Sequence, residues 1–185
     1  MISFSVIKDS VAEVLAQVPP GHWAFIALVP LAVAAVALLR KRASASSVIC
    51  LALAVLSAML LLESTVLVRL VDDYSNGSGV RLTFDLDRLR HINKLGYEAL
   101  MNIIAFAPFG FFMALYLAVR KPHKLWRSFA LSTGATFALS LCIETLQLLL
   151  QRGFFELTDL LFNTAGGCLG AGMALLAKLL LSLKS

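Results

Sequence analysis

Charge is scarce in this chain. Aspartate, glutamate, lysine and arginine make up 15% of its 185 residues, where a soluble domain carries about a quarter. Together with 59% hydrophobic residues and a mean hydropathy of +0.86, that shortage excludes an ordinary water-soluble domain. Cysteine is sparse as well. Cys50, Cys142 and Cys168 each fall inside an apolar block, and none belongs to a Cys-x-x-Cys pair. This argues against a disulfide framework or a zinc site, and the three read as small core residues. No basic patch is interleaved with aromatics. The net charge of +5 sits at the ends of apolar blocks, so no nucleic-acid partner is expected. Internal repeats and low-complexity tracts are lacking too. A secretory leader is not expected: the first 21 residues, MISFSVIKDSVAEVLAQVPPG, mix Lys8, Asp9 and Glu13 with apolar positions, where a leader has a basic start and then an apolar run.

What the chain has in quantity is apolar blocks of about 20 residues, the length that crosses a hydrocarbon core roughly 30 Å thick. Five spans are predicted, over about 22–39, 48–68, 98–119, 126–150 and 159–183. The expected fold is an all-α integral membrane bundle. It divides into a surface-lying segment 1–21, two spans in 22–68, a polar loop 69–97 and a three-helix core 98–183. Within the loop, DDYSNGSG reads as a flexible stretch. VRLTFDLDRL reads as a short strand or an interfacial segment.

Lysine and arginine orient the bundle. The short connections around Arg40–Arg42 and Arg120–Arg127 are strongly basic without acids, and Lys178 and Lys184 lie near the carboxy terminus. In a five-helix bundle all three fall on one side, which the positive-inside rule assigns to the cytoplasm. The amino terminus and the 69–97 loop are then outside.

This topology gathers polar residues at one depth. Ser140, Glu144, Gln147 and Gln151 follow a spacing that puts them on one helix face. Asp159 and Asn163 share a face at the start of the fifth span, Asn102 lies near the start of the third, and Glu63 lies near the end of the second. Each is expensive in lipid and is expected to face the bundle interior or a wet pocket. The expectation is an outward-opening polar cavity lined by Glu63, Asn102, Glu144, Gln147, Arg152, Asp159 and Asn163. Plainer uses exist for most of them. Asn102 and Asn163 are also suited to bridging neighbouring helices. Asp159 or Thr158 is suited to capping a helix start, Arg152 to snorkelling, and Glu63 to reaching water at the boundary. Glu156 reads as a solvated loop residue. None of the histidines, His22, His91 and His123, belongs to the polar set. Pro108 should kink the third span, and Gly166-x-x-x-Gly170 reads as a close-packing face on the fifth.

NIIAFAPFGFF, then IETLQ, then an arginine, then TDLLFNTAGGCLG resemble, in that order, the VanZ-like family of bacterial membrane proteins. The resemblance covers roughly 98–172. It implies a polar set at Asn102, Glu144, Gln147, Arg152, Asp159 and Asn163. It also implies a place in the bacterial plasma membrane and a link to the low-level teicoplanin resistance of the founding member. The first 97 residues carry no resemblance.

Two functions follow as expectations. The first is binding or shielding of the polar head group of an envelope lipid or lipid-linked cell-wall precursor, with no cofactor and no metal. The second is an intramembrane enzyme with Glu144 or Asp159 as acid or base and Arg152 holding an anionic group. A metal-assisted variant would draw oxygen ligands from Glu63, Glu144 and Asp159.

Overall fold

A computed structural model describes Ala12, Ala16 and residues 18–39, 44–67, 79–82, 94–120, 125–151 and 153–182. Five long helices dominate: α1 (Pro20–Leu39), α2 (Ala45–Leu62), α3 (Lys94–Arg120), α4 (Leu125–Leu149) and α5 (Leu157–Ser182). All five are long and apolar enough to cross a membrane. A π turn, Glu63–Leu67, continues α2, and two short strands, β1 (Gly79–Arg81) and β2 (Phe154–Glu156), pair in parallel with Arg81 opposite Glu156. The chain is a multi-pass, all-α membrane protein. Most of the segment 1–21, all of the expected flexible stretch DDYSNGSG except Gly79, which is in β1, and the connections 40–43 and 121–124 lie outside the described residues. Of the expected strand VRLTFDLDRL, Val80 and Arg81 are in β1 and residues 83–93 lie outside.

Two of the boundary shifts bear on the polar residues. Helix α3 begins at Lys94, within the segment expected as loop, and α5 begins at Leu157, two residues before Asp159. Asp159 and Thr158 are therefore inside the first turn of α5 rather than at its cap, where Asp159 still meets the positive end of the helix dipole. Helix α3 runs on through Pro108.

α3 and α5 form the tightest pair. A Cβ on Gly166 would overlap the backbone of Ile103, and one on Gly170 the carbonyl oxygen of Ala107. The matched order of these contacts means that the two helices run parallel. Gly110 of α3 reciprocates, meeting the backbone of Gly167. With no hydrophobic force to press helices together in lipid, such backbone proximity is what supplies attraction, and the Gly166–Gly170 face provides it as expected.

Helix α4 is inside-out relative to a water-soluble helix. Its buried face is Ser128, Ser132, Thr136, Ser140, Ile143, Glu144 and Gln147. Its outer face shows Trp126, Leu131, Phe137, Leu141, Leu146 and Leu149. Lipid solvates the apolar face, and polar groups must find partners within the protein. The Ser132 hydroxyl duly donates to the Gly110 carbonyl of α3 at 2.8 Å. The polar stripe thus starts a full three turns before Ser140. It does not include Gln151, which is exposed in a left-handed turn (φ 56°) after the helix has ended. Cys142 is likewise exposed rather than in the core, whereas Cys50 and Cys168 are half-buried.

The apolar core lies between α2, α3 and α4, where Leu61, Val66, Phe106, Phe109 and Ile143 pack together. Near the other end, Ala114, Ala171 and Ala174 join α3 to α5, and Lys178 reaches the Ala118 carbonyl near the end of α3. Helix α1 is peripheral. Only Ile26 and Pro30 of it are buried, and Ile26 packs with Val18 against Leu56 and Leu60 of α2.

Candidate functional site

The polar side chains meet at the end of the bundle where α1, α3 and α5 begin and where α2 and α4 finish. Helix α4 supplies two of them. Gln147 is buried, and its Nε2 donates to the Thr65 carbonyl at 3.0 Å. Thr65 lies in the π turn, whose wider winding displaces carbonyls from the usual ladder. Its hydroxyl meanwhile donates back to the Leu61 carbonyl at 2.6 Å. One turn earlier, Glu144 is buried, and its Oε2 accepts the backbone N–H of Glu156 at 3.0 Å. A carboxylate at such a depth is costly without donors of this kind.

That bond ties α4 to the small sheet. Glu156 is not a solvated loop residue. It is buried at the end of β2, and its Oε1 accepts from Arg81 Nη1 at 2.7 Å. The Arg81 guanidinium also lies over the Phe154 ring, 3.9 Å from its centroid, a cation–π arrangement. Strand pairing sets both contacts, because Arg81 is opposite Glu156 and Gly79 opposite Phe154. A Cβ on Gly79 would crowd the Phe154 ring at 3.2 Å, so glycine lets the two strands close.

Helix α5 supplies Asn163. It is buried, and its Nδ2 donates to Ser140 Oγ at 2.9 Å, one turn from Glu144 on α4. The Asn163 carbonyl oxygen, Oδ1, has no donor among the described residues. Asp159 is half-buried one turn before it. Asn102 is half-buried on α3 beside Ile103, which abuts Gly166. No hydrogen bond of the Asn102 side chain is formed with a described residue. Arg152 lies outside the described residues.

Glu63 is at the start of the π turn with its side chain 3% exposed, and its Oε1 is 2.5 Å from Nδ1 of His22. A histidine therefore does belong to this end of the bundle. Sequence reasoning missed it, although a signal exists. His22 and Glu63 stand nearly equal distances before and after the 40–43 connection, so an antiparallel hairpin brings them to one height. The period-four run from Ser128 to Ser140 was equally visible. By contrast, nothing in the sequence pairs Arg81 with Glu156 across 75 positions. The metal-assisted variant finds no support, since no group of three or more His, Cys, Asp or Glu residues able to hold an ion occurs among the described residues.

A family model described as VanZ/LLP1 matches residues 49–178, well over half the chain. The chain belongs to the VanZ/LLP1 family. The VanZ match extends the resemblance seen from 98 onward back to the start of α2, so the first 97 residues are not all outside the family. It takes in Glu63, Asn102, Glu144, Gln147, Arg152, Asp159 and Asn163, and also Arg81 and Glu156. It does not include α1, and hence not His22. No curated protein and no solved structure matches the chain.

Proposed function

We propose that this VanZ-family chain lies in the bacterial plasma membrane with its amino terminus outside. Its polar end binds the head group of an envelope lipid or lipid-linked cell-wall precursor and so contributes to teicoplanin-type glycopeptide resistance. One observation carries the reading: buried polar side chains from α4, α5 and the π turn that continues α2, with half-buried His22 of α1 bonded to Glu63, gather at one end, beside Asn102 of α3. Groups this costly to place in a membrane mark a ligand path more often than a structural filler. The set is rich in neutral amides and hydroxyls, and the buried Asn163 carbonyl oxygen is an acceptor that no described residue uses. Such a lining suits recognition of sugar hydroxyls and amines. Glu144 already accepts a backbone N–H, which fits an orienting role. The enzyme reading, with Glu144 or Asp159 as acid or base, has no observation that favours it over binding.

The test compares Glu144→Gln with Asn163→Ala in a susceptible Gram-positive host, with teicoplanin susceptibility and co-purified lipid (native mass spectrometry) as readouts. Glu144→Gln keeps the acceptor for Glu156 and should leave both unchanged, whereas Asn163→Ala should lower both. Loss of resistance with Glu144→Gln alone, in intact protein, would replace binding by catalysis. A wild-type protein that retains no lipid and confers no resistance would remove the reading altogether.

A further inference from the structure

His22 lies before the family match and Glu63 within it, yet the two are bonded at 2.5 Å across 41 positions. Their environments differ sharply. The Glu63 side chain is 3% exposed and that of His22 is 41% exposed. The inner member is thus fixed and the outer member is accessible.

That pairing dictates the chemistry of the ring. An ionised carboxylate only accepts, so with Glu63 ionised Nδ1 carries the proton, and in the neutral imidazole Nε2 then presents a lone pair. Nε2 has no hydrogen-bond partner among the described residues. A buried carboxylate bonded to Nδ1 orients the ring, as carboxylates do behind histidines that ligate metals. The Glu63 side is itself braced: the turn it begins also holds Thr65, whose carbonyl is bonded by Gln147 of α4.

The geometry points to His22 Nε2 as a ligand-facing acceptor, with Glu63 as its positioning residue, for a head group that bears a hydroxyl or primary ammonium donor. This inference rests on the head-group reading above. It adds α1 to the site and names the chemistry recognised there. The ligand donates N–H or O–H to Nε2, and Glu63 holds the ring in place through Nδ1. Choline, whose nitrogen has no hydrogen, is not a ligand of this kind.

The test uses the full chain with 15N-labelled histidine in nanodiscs. One lipid is phosphatidylcholine alone. The others are phosphatidylcholine mixed with phosphatidylethanolamine or with phosphatidylglycerol. The His22 signals are assigned by their loss in His22→Gln. In wild-type protein the Nδ1-protonated tautomer is expected in every disc. The Nε2 resonance should shift when phosphatidylethanolamine or phosphatidylglycerol is present. A shift with phosphatidylethanolamine alone assigns an ammonium ligand, and one with phosphatidylglycerol alone a hydroxyl ligand. Glu63→Gln should abolish both the fixed tautomer and the lipid-dependent shift. An Nε2-protonated ring in wild-type protein, or no shift with either donor lipid, overturns the inference. If His22→Gln retains co-purified lipid at the wild-type level, His22 is not part of the site while head-group binding stands. If the wild type itself retains none, both fall.

Discussion

Gln147 of α4 donates its side-chain N–H to the main-chain carbonyl of Thr65, 82 positions earlier, at 3.0 Å. The acceptor lies in the π turn that ends the second span, so one amide holds the two helices together where the polar side chains collect. Removing the amide in Gln147→Leu takes this donor away from the Thr65 carbonyl in a half-buried place. Interhelical side-chain bonds in membranes average about 0.6 kcal/mol and reach about 1.7 kcal/mol. A loss within that range is expected, read as a lowered unfolding midpoint of the purified protein in detergent.

The crossing of α3 and α5 leaves no room at Gly170, because a Cβ there would overlap the Ala107 carbonyl oxygen. Gly170→Ala should therefore force the two backbones apart, at the upper end of the roughly 1–3 kcal/mol cost of overpacking. Gly134 on α4 has nothing within 4 Å of a new Cβ. Gly134→Ala should be neutral or stabilising by up to about 1 kcal/mol, from helix propensity alone. Equal effects of the two substitutions on the detergent unfolding midpoint would contradict the close crossing.

Arg81 and Glu156 join the strand from the long connection to the one that precedes α5. The Arg81 side chain is 52% exposed, so solvent weakens the pair despite its 2.7 Å separation. A double-mutant cycle with Arg81→Ala and Glu156→Ala should return a coupling of about 0.2–1 kcal/mol. That coupling should shrink as salt is raised. A coupling of zero at low salt would mean that the strand pairing stands without the ion pair.

The proposed orientation has its own check. With Cys50, Cys142 and Cys168 replaced by serine or alanine, single cysteines at Ser44 and Gln151 mark the two ends of the bundle, both positions being exposed. A membrane-impermeant thiol reagent applied to intact cells should label Gln151→Cys and spare Ser44→Cys. The reverse pattern would put the polar end in the cytoplasm.

The amino-acid sequence by itself determined the number of spans, the approximate ends of each and the Gly166–Gly170 packing face. Those features depend on local composition: apolar length against bilayer thickness, and small residues at helical spacing. It also determined that Glu144, Gln147 and Asn163 must turn inward, since lipid offers them no partner. The tertiary structure alone decided what they turn toward. Glu144 meets a backbone N–H on β2, Asn163 meets Ser140, and Gln147 meets a carbonyl freed by a π turn. Glu156, apparently a loop residue, is buried because a three-residue strand from a distant connection brings Arg81 beside it. His22 joins Glu63 because a helical hairpin aligns them. Such partners are chosen by distances between segments remote in sequence, and periodicity within one segment contains no information about them.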